Sequence, residues 1–530
     1  MDKLIQALLI ALFVAGCSSN SERETLGDDY PVIRAEAISG ENYIRSMLVS
    51  NGQREQIAYE VIVDEEGRVI SFEMRDYFYD FPDSLIRSHL KRYTDLKVEQ
   101  TIFDPVIRNG KPIKFQTSVY VNVYPPERTS KTSNTKPPID WNDLSVTLSR
   151  SGCFGTCPAY EVEITGTGDV NYHGHGFVVI EGVQNYTISK DAIAGLVDEF
   201  DQANFWNLED EYRQTVTDNP TYVISFRTGS HSKTVVDYVG LPVGMPYAVR
   251  ELQERIDAVS KTARWVRGNR ETVASLKSNG FDFSSLESQK ALIGAIEYSS
   301  EEIAVELLNQ KVPLDTDYAE YPDCDECGPN PKTYARALKS AVHRNRERLF
   351  HRLDKDGWTT KLDQTQKDEL LWLAAKSNNP NLVRQLLDRG AGFGYNNSSP
   401  LVAALDNDFF QTSTDKDRQE VVRILLAAGV NLEAKNGIGY TALQHAYDEK
   451  VEIVKMLLDA GADVNAGSID PLNDIENTSS SILYITEDEG IAILAIEQGA
   501  DTSLKSEEGK TLIELARERS WLQVTKLLQE

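Results

Sequence analysis

The residues best suited to chemistry in this 530-residue chain are five cysteines: Cys17 stands alone, Cys153 and Cys157 form one close pair, and Cys324 and Cys327 form another. Close thiol pairs become disulfides in an oxidising compartment and point to metal or redox chemistry in a reducing one. His173 and His175 follow the first pair in "YHGHG", so a zinc site with two sulfur and two nitrogen donors can be drawn from this segment. A metal-binding or redox role for Cys153 and Cys157 is therefore the alternative reading. A catalytic Cys-x-x-Cys sits at a helix start within a thioredoxin-like βαβ pattern, and neither pair has that setting. The second pair lies in "YPDCDECGPNP", where Asp323, Asp325 and Glu326 disfavour a reactive thiolate. The spacing of these carboxylates is not that of an EF-hand loop. Both pairs are expected to be disulfide staples, worth roughly 2 kcal/mol for a short loop. The sequence holds no Gly-rich phosphate loop, nucleophile elbow or His-Glu-x-x-His motif, so neither catalysis nor a resident metal or cofactor is expected.

The cysteine reading depends on compartment, which the N-terminus addresses. Lys3 precedes an apolar run from Leu4 to Val14, long enough for a signal-peptide core and too short to span a bilayer. The run ends in Val14, Ala15, Gly16 and Cys17, which resembles the bacterial lipobox. That resemblance implies cleavage before Cys17, lipid on its sulfur and a multiply acylated N-terminus. Each buried methylene adds roughly 0.8 kcal/mol, so several chains hold a protein firmly. Ser18, where an aspartate would signal retention, implies sorting to the outer membrane, facing the periplasm. Residues 1–16 are then the signal peptide and 17–41 a polar, flexible tether. The net charge of -27 repels nucleic acid and favours a basic protein partner.

So long a chain exceeds a single core and must divide. Across 42–128, Tyr59, Val61 and Val63 alternate with Glu60 and Ile62 before the turn "DEEG" (Asp64 to Gly67), and Val69 to Phe72 resume the extended pattern. A hairpin follows from this period. Asp83 can cap a helix carrying Leu85, Ile86 and Leu90, and Val119, Val121 and Val123 mark a last strand. "FDPVIRNGKPIKFQTSVYVNV" (Phe103 to Val123) resembles the end of the TonB C-terminal domain, which implies a small α+β fold able to add strands at an open edge. "PPERTSKTSNTKPPID" (Pro125 to Asp140) lacks apolar periodicity, and 129–140 is expected to be a semi-extended linker.

The unit at 141–263 alternates in Tyr160, Val162 and Ile164, turns at Gly166 to Asp169, and resumes in Val170 and Tyr172. Ser189 can cap a helix with Ile193, Leu196, Val197 and Phe200 on one face. Strands at Tyr222 to Phe226 and Thr234 to Tyr238 and a closing helix with Val249, Leu252, Ile256 and Val259 complete an α+β domain with an antiparallel sheet. "SRSGCFGTCPAY" (Ser149 to Tyr160) and "DEYRQTVTDNPTY" (Asp210 to Tyr222) resemble an uncharacterised envelope domain family that opens with Cys-Phe-Gly-Thr-Cys-Pro-x-Tyr.

Residues 264–530 repeat a helix, turn, helix and loop. The clearest copy, "TALQHAYDEKVEIVKMLLDAGADVNA" (Thr441 to Ala466), resembles the ankyrin repeat. Further copies at Lys290 to Val312, Thr333 to Gly357, Glu369 to Ala391, Ser399 to Ala434, Ser480 to Ala500 and Lys510 to Leu528 bring the expectation to six to seven. Ala404, Ala446 and Ala516 let helices approach; Leu425, Leu457, Leu458 and Leu527 are expected to fill the core between repeats. Gly390, Gly429, Gly461 and Gly499 end second helices. His343 and His445 fall on repeat helices as packing or solvent-facing residues. The fold class expected is thus multidomain, two α+β domains followed by an all-α solenoid. Such arrays bind through loop tips, here Asn431, Glu433, Lys435, Asn436, Asp463, Asn465, Thr502, Lys505 and Glu507.

Overall fold

The structure is a computed structural model that describes residues 43–45, 55–75, 94–108, 111–130, 134–318, 330–395, 398–406, 415–436, 439–447, 451–467, 481–506 and 508–529. Cys17, the helix expected around Leu85, Ile86 and Leu90, the Cys324 and Cys327 pair and Glu507 lie outside these residues. Packing divides the chain into two units. One holds the described residues up to Cys157, Glu161–Val170 and Thr187–Ser260; the other holds Pro158–Tyr160, Asn171–Tyr186 and the chain from Lys261 onward.

The first unit begins with β1 (Tyr43–Arg45), β2 (Glu55–Val63) and β3 (Val69–Arg75), then a two-strand ribbon of β4 (Ile107–Arg108) and β5 (Lys111–Pro112), then β6 (Phe115–Tyr124). Their main sheet has the order β1-β6-β2-β3. Alternation predicted the outcome: Tyr59, Val61, Val63, Val119, Val121 and Val123 are buried on one face with Phe103 and Phe115. The β2–β3 turn is set by Asp64, whose carboxylate accepts from the Glu66 and Arg68 amides at 3.0 and 2.8 Å. Gly67 has φ +84°, and a Cβ there would sit 1.9 Å from the Phe103 carbonyl oxygen, so glycine is required on both counts.

The segment expected to be a semi-extended linker is strapped down along its described length. Ser130 and Asn134 amides donate to Asn207, at its carbonyl and at Oδ1. Lys136 pairs with Asp201, and the Asp140 amide donates to Thr228 Oγ1. Each of these donors finds an acceptor on the following domain, which fixes an otherwise extended chain.

That domain contains β7 (Leu144–Arg150), β8 (Ala159–Thr165), β9 (Asp169–Gly176), β10 (Gly182–Thr187), β11 (Glu211–Arg213), β12 (Tyr222–Thr228) and β13 (His231–Tyr238), in the sheet order β10-β9-β8-β7-β12-β13-β11. The sheet is not wholly antiparallel as expected, because β11 pairs parallel to β13. No hairpin joins those two strands, so chain reversal does not dictate their direction. Helix α1 (Lys190–Gln202) starts at Ser189, whose Oγ accepts from the Ala192 amide, and buries Ile193, Leu196, Val197 and Phe200. Helix α2 (Tyr247–Ser260) buries Val249, Leu252, Ile256 and Val259.

Among its described residues, the second unit contains α3 (Ala263–Val266), α4 (Thr272–Ser278) and then seven helix pairs: α5 (Leu286–Tyr298) with α6 (Glu301–Leu308), α7 (Thr333–His343) with α8 (Glu347–Lys355), α9 (Gln364–Lys376) with α10 (Pro380–Asp388), α11 (Pro400–Leu405) with α12 (Asp415–Ala427), α13 (Ala442–His445) with α14 (Val451–Asp459), α15 (Ile482–Ile485) with α16 (Glu489–Glu497), and α17 (Leu512–Glu518) with α18 (Leu522–Leu527). One continuous apolar cluster runs through them. Ala404, Ala446 and Ala516 are fully buried, as are Leu425 and Leu457, with Leu458 nearly so. Gly390, Gly429, Gly461 and Gly499 have φ between +79° and +95°, the left-handed cap expected of them.

Leu527 departs from expectation: it is 48 % exposed, and Leu522 beside it is 80 % exposed. Both sit on the last described pair, where no further helix covers that face. The other end has a cover that periodicity did not disclose. The segment Val178 to Ile180, between β9 and β10, is buried in the repeat core, with Val179 and Ile180 amides donating to the Val266 and Trp265 carbonyls at 3.1 and 2.9 Å. Four consecutive apolar residues, Phe177 to Ile180, between Gly176 and Gly182 were the available sign, since an unbroken run points to burial on both sides.

Candidate functional site

Each repeat places a short turn after its second helix, and the predicted tip residues fall on these turns. Asn431, Glu433, Lys435, Asp463, Asn465, Thr502 and Lys505 are exposed, and Asn436 is half-buried. The structure shows what their polar atoms do. Asn431 Oδ1 accepts from the Glu433 amide at 3.0 Å; Glu433 Oε1 accepts from the Asp463 amide at 2.8 Å. Asp463 Oδ1 accepts from the Asn465 amide at 2.9 Å, and Asn465 Oδ1 accepts from the Asp501 amide at 2.7 Å. Asp501 continues the series with the Ser503 amide at 2.9 Å, which together with Ser503 Oγ holds its carboxyl below the usual aspartate range. Asn436 Oδ1 accepts from the Tyr440 amide at 2.9 Å.

These contacts form a polar ladder that passes from one repeat to the next. Asn and Asp bonding an amide two residues on is ordinary turn chemistry, but Glu433 and Asn465 reach across to the neighbouring repeat. Each side chain that closes its own turn therefore also fixes the spacing of the stack. Sequence reasoning found the exposed positions and missed this second task, because the partner amides lie 30 and 36 residues away. No hydrogen bond defines the side chains of Lys435, Thr502 and Lys505 among the described contacts, and these three project the outward-facing chemistry of the predicted set. A second ladder runs along the starts of the second helices. Glu301 Oε1 accepts from the Leu349 amide at 2.8 Å, and Glu489 Oε1 from the Gln523 amide at 2.5 Å, satisfying donors that a helix start leaves open.

Ion pairs also join neighbours: Arg344 to Glu297 and Arg348 to Glu301 at 2.8 Å, Arg389 to Asp354 and Lys339 to Glu369 at 2.7 Å. Burial would raise the Glu297 carboxyl, but hydrogen bonds from Ser340 and Arg344 outweigh it and hold the group below the usual range. The cations of these pairs are largely solvated, so each pair adds about 0 to 1 kcal/mol and chiefly fixes register. His343, predicted on a repeat helix, is exposed at the end of α7. His445 lies half-buried at the end of α13.

The Cys153 and Cys157 sulfurs lie at bonding distance, with Cα atoms 5.5 Å apart. The loop they enclose presents Phe154 at 89 % exposure. The His173 and His175 rings lie side by side, tilted by 51° with centroids 4.2 Å apart. Among the described residues, no three His, Cys, Asp or Glu side chains converge as a metal site would require, so the zinc constellation drawn from the sequence is not assembled there. Nor is any described helix long and apolar enough to cross a membrane.

Comparison with known proteins bears on two segments. Residues 144–260 match a family described as a domain of unknown function, DUF6438. Residues 371–468 match a model of ankyrin repeats in three copies. A search of the curated proteins finds no match. Among solved structures, the chain is similar to the ankyrin repeat domain of Bcl-3, described as a unique member of the IkappaB protein family, at 22 % identity, covering 45 % of this chain and 97 % of that one with a TM-score of 0.30. The chain thus carries ankyrin repeats in its helical C-terminal part and, before them, a sheet domain of a family whose function is unknown.

Proposed function

We propose that this protein is a non-catalytic, protein-binding scaffold of the bacterial envelope that engages its partner across the tips of its ankyrin repeats. The observation that carries the reading is the repeat-to-repeat ladder from Asn431 to Ser503. It holds successive tips in fixed register, so a partner meets a surface that needs little ordering on binding. Lys435, Thr502 and Lys505 supply the contacts, with Glu433, Asp463 and Asn465 as the frame that positions them. The net charge of -27 favours a partner of basic character.

In this reading residues 1–16 are a signal peptide, Cys17 carries the lipid, and 17–41 tether the folded domains at the outer membrane, facing the periplasm. An oxidising compartment makes the Cys153 and Cys157 pair a closed structural staple. Amine-reactive crosslinking in intact cells, followed by mass spectrometry, tests the scaffold directly. Lys435 and Lys505 are expected in crosslinks to a second protein, and a Thr502→Trp variant with unchanged circular dichroism, which keeps both amines and blocks the exposed tip by bulk, should lose it. Crosslinks confined to the chain itself, or a partner retained by that variant, would overturn the proposal. Intact mass of the mature N-terminus tests the anchor: an unmodified Met1 would rule it out.

A further inference from the structure

A cavity of about 410 Å³ lies at the end of the sheet domain, within the size range of ligand pockets. Its wall is built by strand register. Arg150 on β7 stands opposite Tyr222 on β12, and Tyr222 opposite Asp237 on β13, so the three share one row and one face of the sheet. Helix α2 adds Arg250, Gln253 and Glu254, and Asn219 and Pro220 form the rim. Residues of both signature segments meet here, because the Ser151 amide donates to the Thr221 carbonyl at 3.0 Å and Ser151 Oγ accepts from the Thr221 amide at 2.8 Å.

The charges of this wall cancel in pairs with one exception. Arg150 is paired with Asp257 at 2.5 Å and lies over the Tyr222 ring, 4.9 Å from its centroid. Arg250 faces Glu254 at 3.8 Å. Asp237 is 7 % exposed, and its oxygens accept only from neutral donors, the Gly240 amide at 2.8 Å and Gln253 Nε2 at 2.9 Å. A buried carboxylate satisfied by one neutral donor per oxygen keeps acceptor capacity and has no cation in contact. Burial raises its pKa, moderated by those two donors and by Arg250 at longer range, and a carboxyl perturbed by desolvation on a pocket wall is a candidate binding group. Glycine is required at 240 for this packing: a Cβ there would meet Asp237 Oδ1 at 2.9 Å and Met245 Sδ at 2.7 Å.

The geometry points to a receptor pocket for an organic cation, an ammonium or guanidinium group seated on Asp237 and flanked by the Tyr222 ring. Such a group completes the hydrogen bonding of the carboxylate and neutralises it. The same chemistry is carried by a basic side chain of a peptide and by a free polyamine.

Calorimetric titration of the full chain decides the matter, with N-acetylarginine amide, its neutral citrulline counterpart, spermidine and a short Lys- and Arg-containing peptide as probes. The arginine and lysine chemistries should bind and the citrulline analogue should not. Asp237→Asn should weaken binding on the order of thirtyfold, since it removes one member of a buried charge pair. Asn219→Trp, made at an exposed rim position, should block the pocket too, and keeps the test readable should D237N not fold. Tighter binding of the peptide than of spermidine assigns the cation to a polypeptide, and the reverse order assigns it to a free amine. Equal binding of arginine and citrulline probes, full affinity in a folded D237N, or no binding by any cation would overturn the assignment.

Discussion

At one end of the repeat stack, helix α5 meets the segment between β9 and β10 along a single face: Lys290 approaches Glu181 at 3.9 Å, Gly294 lies under the Val178 and Val179 carbonyls, and Tyr298 packs its ring edge-on to Phe177 at 6.0 Å. At the other end, Leu522 and Leu527 of α18 face outward. The positions 290, 294 and 298 repeat at four-residue spacing, one stripe of a helix, and the hairpin loop covers that stripe as a preceding repeat would. Terminal repeats require a cover for the surface that an interior repeat gives to its neighbour. Here the cover at the first end is borrowed from a sheet, whereas the last described pair keeps its apolar residues in view. The contrast teaches that equal helical patterns do not carry equal energetic weight along a solenoid.

Three substitutions would sharpen or break this comparison. The largest effect is expected in the interior. Leu457→Ala empties a fully buried position and should cost roughly 2 to 5 kcal/mol. Hydrogen exchange should accelerate first in α13 to α16, and a uniform acceleration over all helices would contradict nearest-neighbour stacking. At the covered end, Gly294→Val would place a Cβ 2.7 Å from the Val179 carbonyl oxygen and should cost about 1 to 3 kcal/mol by overpacking. Exchange at the Val179 and Ile180 amides should rise while α17 and α18 remain unchanged; slow exchange at those two amides would show that the loop is not a cap. The smallest effect belongs to Leu527→Ala at the open end, expected within about 0.5 kcal/mol by denaturant melting. A loss comparable to that at Leu457 would mean that α18 is covered in solution.

Much of the architecture could be read beforehand where the interaction is local. Ser189 as a cap, the buried stripe of α1, the alternation of β2 and β6, and the glycines closing second helices all follow from contacts within a few residues. The candidate surface was legible as position and not as bonding. Asn431, Glu433, Asp463 and Asn465 were identified as exposed tips, and the amides they hold came into view only with neighbouring repeats in place. Leu527 failed for the complementary reason: its spacing matches that of Leu457, and only the next helix distinguishes core from surface.

The amino-acid order by itself determined which segments become helix or strand and which face of each is apolar, because those properties are set by backbone periods of 3.6 and 2. Tertiary structure alone decided what each face meets. It put Val178 to Ile180 over α5, left Leu522 in solvent, and aligned Arg150, Tyr222 and Asp237 in one row of a sheet. The physical reason is that burial, hydrogen-bond completion and charge neutralisation depend on partners far away in sequence, and no local period encodes a distant partner's identity.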